Sequence, residues 1–118
     1  MKHRRLYDSF RDAWRGILYV FRSERNMRIH LVAGLVVLLL AGLLGVPRLE
    51  FLILILTIGM MFVAELFNTA FEEVVNLITK EYHPMAGIVK NIAAGAVLVA
   101  ALTALWVGYI ILRDYLVP

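Results

Sequence analysis

The 118-residue sequence contains no cysteine, which excludes disulfide bonds and thiolate chemistry and gives no indication of redox compartment. It contains neither G-x-x-x-x-G-K-[ST] nor G-x-G-x-x-G, so neither of the common nucleotide-binding loops is present. Its three histidines, His3, His30 and His83, are too far apart to have the spacing of metal ligands, and no serine, histidine and aspartate set suggests a catalytic triad. These absences argue against zinc chemistry and against a serine hydrolase.

Apolar residues dominate the sequence instead. They make up 62% of the chain, and its mean hydropathy is +0.81. A domain of this length cannot hide so much apolar surface from water, whereas a lipid bilayer can. The composition therefore predicts a single all-α integral membrane domain over residues 1–118.

Three apolar segments are long enough to be membrane-spanning helices. The first is predicted over residues 28–46, with Arg28 reaching to the membrane surface and Pro47 closing the segment. The second is predicted over residues 49–77 with a cytoplasmic extension, and because it becomes polar after Ala64, its last third is expected to lie in the membrane interface or inside a protein assembly. The third is predicted over residues 85–112, after a polar connection in which Pro84 can begin the helix.

Residues 5–25, ahead of the first span, have apolar side chains at helical spacing. Leu6, Phe10, Trp14, Ile17 and Phe21 form one stripe, with charged residues between them. This pattern predicts an amphipathic helix in the membrane interface, although a helix that binds a protein partner would show the same pattern. The interleaved apolar residues distinguish the basic segment from a nucleic-acid-binding tail, so no nucleic-acid partner is expected.

The distribution of basic residues predicts the orientation in the membrane. Ten of the twelve lysines and arginines lie in the N-terminal segment or near the connection at residues 79–91, whereas Arg48 and Arg113 lie at the opposite ends of the spans. The positive-inside rule then places the N-terminus in the cytoplasm and the C-terminus outside.

The third span carries a ridge of small residues. Ala96, Ala100, Ala104 and Gly108 recur at every fourth position, which allows close approach of another helix. Alanine is also common in apolar helices, so the ridge alone does not identify its partner. Three helices form a thin bundle with little interior, and we therefore expect an oligomer.

The second span carries polar residues on one face. Glu65, Asn68, Glu72 and Asn76 follow one another at spacings of 3, 4 and 4, which places them within a sector of about 80°. A carboxylate at the bilayer centre costs about 2.5–3.5 kcal/mol on insertion scales, and such residues usually serve a function. The alternative is that this face only lines an oligomer interface or reaches to water.

Paired carboxylates at a membrane boundary suit two chemical tasks. They can hold Mg²⁺ while the ion also binds phosphate oxygens, and they can take a proton from an alcohol. Glu24, between the amphipathic helix and the first span, is expected at the same depth, and Lys90 could neutralise phosphate charge. The residues alone thus indicate metal-assisted polar chemistry or ion handling at the membrane surface.

Three motifs carry a resemblance to a known family. Residues 65–76 read Glu-Leu-Phe-Asn-Thr-Ala-Phe-Glu-Glu-Val-Val-Asn, and they are followed by Glu-Tyr-His-Pro at residues 81–84 and Lys-Asn-Ile-Ala-Ala-Gly at residues 90–95. Together they closely resemble the prokaryotic diacylglycerol kinase family. Residues 24–30, Glu-Arg-Asn-Met-Arg-Ile-His, look like its undecaprenol kinase branch, typical of Gram-positive bacteria.

This resemblance implies a lipid kinase of the bacterial cell membrane that uses Mg²⁺ and ATP and works as a homotrimer with sites shared between protomers. It implies that Glu65 is the general base, that Glu24 and Glu72 bind Mg²⁺, and that Asn68 and Asn76 support the site. The residues implied in nucleotide binding are Arg5, Asp12, Glu24, Glu72, Glu81, Tyr82, His83, Lys90 and Asn91.

The resemblance implies phosphorylation of undecaprenol to undecaprenyl phosphate by direct in-line transfer, and the alternative acceptor is diacylglycerol, which would give phosphatidic acid. Asn76 and Asn91 stand where the family usually has aspartate. Each change keeps the shape of the side chain but removes a negative charge. A catalytically weakened, non-enzymatic homologue is therefore a further alternative.

Overall fold

The computed structural model describes residues 5–117, and within this range the chain forms four helices. They are α1 (Leu6–Ser23), α2 (Arg25–Leu43), α3 (Arg48–Ile78) and α4 (Pro84–Leu116). The all-α prediction is confirmed. Lys2 and Arg4, two of the basic residues counted in the N-terminal segment, lie outside the described residues.

Three of the helices, α2, α3 and α4, are long and apolar enough to cross a membrane. At 1.5 Å per residue, the 19 residues of α2 span about 28 Å, close to the hydrocarbon thickness of a bilayer. The 31 residues of α3 and the 33 residues of α4 span about 46 and 50 Å, so both extend well beyond it. The chain is a membrane protein, and α3 has room for a polar segment outside the lipid.

The helix ends follow local backbone rules. The helix α2 ends at Leu43, whereas the first span is predicted to reach residue 46. The difference arises because Gly45 adopts a φ of 71°, and the N–H of Val46 donates to the carbonyl of Ala41 at 3.1 Å, which is a glycine-based helix cap. Pro84 begins α4, where its missing N–H is not needed.

The four helices pack into a bundle with two distinct ends. The most extensive packing is between α3 and α4, while α2 packs on α3 and α1 contacts both α2 and α3. Gly34 allows the α2–α3 approach, because a Cβ there would lie 3.0 Å from Cγ2 of Ile58. The end at which α1 joins α2 is called the α1 end below. At the other end, the Tyr115 hydroxyl donates to Oε2 of Glu50 at 2.9 Å.

A single chain leaves much of its surface uncovered. Its radius of gyration is 17.6 Å, whereas a compact chain of this length would have one of about 13.5 Å. Its accessible surface is 9181 Å², against about 6,500 Å² for a soluble monomer of this size. Lipid or further copies of the chain must cover the apolar faces of the helices, because water would not stabilise them.

Candidate active site at the α1 end

The turn between α1 and α2 holds Glu24 at a fixed corner. Arg28 donates from Nη1 to the carbonyl oxygens of Phe21 at 2.8 Å and Arg22 at 2.9 Å. These carbonyls belong to the last turn of α1, where a positive side chain is favoured by the helix dipole. Arg28 therefore ties the first turn of α2 to the end of α1, and Glu24 lies between the two helices.

The corner is also docked on α3. The rings of Phe21 and Phe62 lie 6.0 Å apart between their centroids, and Val20 and Met27 are buried. Apolar packing on both sides of Glu24 thus brings this carboxylate toward the polar face of α3.

Glu65 is the most enclosed acidic residue of that face. Its side chain is only 3% exposed, and its Oε1 lies 3.2 Å from Nε2 of His30 on α2. The contact is not directed as a hydrogen bond, and Oε1 has no other hydrogen-bond partner. Thr69, one turn later, donates its hydroxyl to the backbone carbonyl of Glu65 at 3.0 Å. The carboxylate therefore has one buried, unsatisfied oxygen, which is expensive in a structure unless it serves a function.

The negative charges of the α3 carboxylates affect Glu24 at the α1–α2 corner. Partial burial raises the pKa of the Glu24 carboxyl, and the negative charges of Glu72, Glu65 and Glu73 raise this pKa further, whereas Arg28 lowers it. The negative charges that act on Glu24 all lie on α3, so α3 presents acidic residues to the α1–α2 corner. A bound cation would relieve the repulsion between these charges.

The number of acidic groups limits the kind of metal site that is possible. Within residues 5–117, no group of three or more histidine, cysteine, aspartate and glutamate side chains could hold a metal ion by itself. Mg²⁺ is commonly held by one or two carboxylates, with water and substrate phosphates completing its ligands. Glu24 and Glu72 are two carboxylates of the kind that such a site would need, since the charge of Glu72 acts on Glu24.

Lys90 and Asn76 form a contact across the α3–α4 interface. The Lys90 Nζ donates to Oδ1 of Asn76 at 2.8 Å, which brings together two residues that lie 14 positions apart in the chain. Asn91 is exposed. A neutral amide holds the lysine in place and brings no opposing charge to it, so the contact does not compete with an anion for the ammonium group.

The connection between α3 and α4 contains Glu81, Tyr82 and His83, which the resemblance assigns to nucleotide binding. The Glu81 N–H donates to the Thr79 hydroxyl at 3.2 Å, and Tyr82 is 92% exposed. His83 caps α4, because its Nδ1 accepts a hydrogen bond from the Met85 N–H at 3.1 Å. The structure thus gives His83 a local structural role and leaves the Tyr82 ring open to a ligand.

Arg5 and Asp12, which the resemblance assigns to nucleotide binding, lie far from Glu24 in a single chain. Arg5 precedes α1 and contacts Asp8, and Asp12 lies in the first half of the helix beside Arg11. Along a helix, Arg5 is separated from Glu24 by about 28 Å and Asp12 by about 18 Å. One protomer does not bring these two residues together with Glu24.

Asn68 faces a groove between α3 and α4. Its Oδ1 is buried and has no hydrogen-bond partner, and the groove has a volume of about 360 Å³ with walls that are otherwise apolar, including Phe67 and Ala93. A lone amide oxygen in such a groove can accept a hydrogen bond from a hydroxyl group.

Three residues at the α1 end were not assigned to the site from the sequence. His30 contacts Glu65, Glu73 contributes to the field at Glu24, and Arg28 fastens the corner instead of only reaching to the surface. A polar residue near the start of an apolar span was the available signal for His30. No local pattern links residue 30 to residue 65.

Comparison with known proteins identifies the family. Residues 11–112 match the sequence profile described as "Prokaryotic diacylglycerol kinase", which covers most of the chain. The resemblance noted in the sequence is confirmed, and the chain belongs to the prokaryotic diacylglycerol kinase family, which is a family of membrane lipid kinases.

Individual relatives differ in the acceptor that their names give. The chain is 46% identical over 101 residues to the "Diacylglycerol kinase" of Synechocystis, which covers 85% of this chain and 58% of that protein. It is 43% identical over 107 residues to the "Undecaprenol kinase" of Bacillus subtilis, covering 91% of this chain and 87% of that protein. It is 31% identical over 103 residues to the "Diacylglycerol kinase" of Escherichia coli K12, covering 87% and 84%.

Proposed function

We propose that the chain transfers the γ-phosphate of ATP to the hydroxyl group of a membrane lipid, with undecaprenol as the acceptor and undecaprenyl phosphate as the product. The observation that carries the proposal is the buried Glu65 carboxylate, with an oxygen that lacks a directed hydrogen bond, on the same helix as Glu72, whose charge acts on Glu24. The named activities of the relatives support the same chemistry.

Glu65 acts as the general base. Its carboxylate takes the proton as the lipid O–H bond breaks, and the lipid oxygen forms a bond to the γ-phosphorus. The bond from this phosphorus to the β–γ bridging oxygen breaks, and ADP leaves with that electron pair. Lys90 balances phosphate charge, and Asn68 holds the lipid hydroxyl within reach of the base.

Glu24 and Glu72 are the proposed ligands of Mg²⁺, which when bound neutralises phosphate charge and aligns the nucleotide. Glu24 comes from the α1–α2 corner and Glu72 from α3, so the site depends on the docking of these elements. The nucleotide would also contact the 81–83 connection, Lys90 and Asn91.

The proposed assembly is a homotrimer with composite sites. A single chain holds Arg5 and Asp12 far from Glu24 along α1, so these residues reach a nucleotide most readily on a neighbouring protomer. We also propose that α1 lies in the membrane interface, with the N-terminus in the cytoplasm and the C-terminus outside, as the basic residues indicate.

The lipid acceptor distinguishes an undecaprenol kinase from a diacylglycerol kinase. Purified protein in bicelles is supplied with Mg²⁺, labelled ATP and either undecaprenol or diacylglycerol. We expect kcat/KM to be at least about tenfold higher for undecaprenol, since its single apolar chain differs from the two chains of diacylglycerol. A preference for diacylglycerol would assign the alternative acceptor, and no transfer to either lipid by folded protein would contradict the kinase proposal.

The Lys90–Asn76 contact tests the alternative of a weakened homologue. In Asn76→Asp, a carboxylate would accept the 2.8 Å hydrogen bond from Lys90 and offset its charge, so we expect the KM for MgATP to rise about two- to fivefold. Asn76→Ala removes the acceptor without adding charge and separates the two effects. If the chain were weakened by its missing aspartate, Asn76→Asp would instead raise turnover.

A further inference from the structure

His30 is the polar side chain that the fold brings to the proposed base. Its Nε2 lies 3.2 Å from Oε1 of Glu65, and the two side chains are 24% and 3% exposed. Within residues 5–117 this is the only ion-pair contact of the Glu65 carboxylate. The contact joins the second turn of α2 to α3, at the point where the helices begin their close approach.

A buried carboxylate that acts as a general base needs a donor or a positive charge beside it. Glu65 can take a proton from an alcohol only as a carboxylate, and an ionised carboxylate withdrawn from water is costly without a donor or a cation beside it. The neighbouring guanidinium of Arg28 is engaged by the carbonyls of Phe21 and Arg22. The carboxylates that act on Glu24 from α3, including Glu72 and Glu73, have the same sign as the base and cannot compensate for its charge.

We propose that His30 is a positioning residue of this kinase. Its Nε2 lies beside the unpaired Oε1 of Glu65, and in the substrate complex an N–H there would align with this oxygen, orient the carboxylate toward the lipid hydroxyl and compensate for its burial. This inference rests on the proposed role of Glu65 as base. A histidine suits the task, because the imidazole offers a donor as a neutral ring and adds a positive charge when protonated.

Two other roles of His30 are possible outcomes of a test. The ring could serve only to fill space between α2 and α3. Alternatively, it could contact the lipid directly, since it lines one end of an apolar groove of about 560 Å³ between α2, α3 and α4. A positioning role differs from both, because it requires a hydrogen-bond donor and acts only through Glu65.

The first experiment compares His30→Gln with His30→Met, which introduce side chains of similar length. Gln can place an N–H donor near the position of Nε2, whereas Met fills similar space without one. We expect His30→Met to lower kcat about 30-fold, as loss of an orienting partner typically does, and His30→Gln to lower it about fivefold. The KM for MgATP should stay within about twofold in both. Val32→Met, at an exposed position of the same helix, is the control for insertion of Met and should match the unmodified protein.

The second experiment asks whether His30 acts through the base. Glu65→Asp retracts the carboxylate and breaks the contact, so we expect His30→Met to lower kcat less than about threefold in that background. Equal turnover of the Gln and Met variants would overturn the proposal in favour of packing. An undiminished 30-fold loss in the Glu65→Asp background, or a rise in the KM for the lipid alone, would overturn it in favour of direct lipid contact.

The failure of this proposal is distinguishable from that of the proposed function. The variant Glu65→Gln reports on the base itself and needs no assumption about His30. Wild-type turnover in Glu65→Gln would remove the base assignment, whereas an inactive Glu65→Gln with a fully active His30→Met would remove only the positioning role. Resistance to unfolding by SDS, measured for every variant, identifies any that fail to fold.

Discussion

Replacing Glu65 by Gln is expected to abolish phosphoryl transfer while leaving nucleotide binding intact. The amide is nearly isosteric with the carboxylate but cannot take a proton, so kcat should fall about 10³-fold. The Kd for MgATP should change less than about threefold, since the proposed metal ligands are Glu24 and Glu72. Labelled-phosphate transfer in bicelles measures the first quantity, and equilibrium binding of MgATP measures the second.

The matched control is Glu50→Gln, the same substitution at the other end of the same helix. Glu50 accepts a hydrogen bond from Tyr115 and lies about 22 Å along α3 from Glu65, so this variant should retain transfer within about twofold. Glu65→Gln should also unfold no more readily in SDS than the unmodified protein, because it removes a buried charge. A variant that lost MgATP binding and transfer together would make Glu65 a nucleotide or metal ligand instead of a base.

The membrane helices and the polar face of α3 were predictable because their signals are local. Hydropathy over about 20 residues identifies a span, and spacings of 3 and 4 place Glu65, Asn68 and Glu72 on one side of a helix whatever lies opposite. The family motif covers this same face, and its match to residues 11–112 was accordingly visible in the sequence.

The partners of those residues were not predictable, since they depend on how α2 is rotated about its own axis. The contact between His30 and Glu65 follows from the close approach of the helices at Gly34, and α2 is apolar nearly all round, so periodicity does not indicate which face meets α3. The same holds for Arg28, whose charge suggested a side chain reaching toward the surface. The end of α1 supplies carbonyl acceptors for it only when the chain turns sharply at Glu24.

The second large effect is expected from replacing Glu72 by Gln. If it is one of two carboxylates that hold Mg²⁺, Glu72→Gln should raise the Mg²⁺ concentration for half-maximal activity at least tenfold and lower kcat about 100-fold. Glu73→Gln is the matched control, since it removes the same charge one residue along α3 and also lies near enough to influence Glu24. Its effect on the Mg²⁺ requirement should stay below about threefold.

The comparison of these two variants separates a ligand from a diffuse negative field. A helix turns by about 100° per residue, so Glu72 and Glu73 point in different directions although both act on Glu24 at a distance. Binding of Mn²⁺ in the presence of ADP, followed by electron paramagnetic resonance, gives a readout that does not require turnover. If both variants weakened Mn²⁺ binding equally, the metal would be attracted by the summed charge of the α1 end, and the pairing of Glu24 with Glu72 as direct ligands would be wrong.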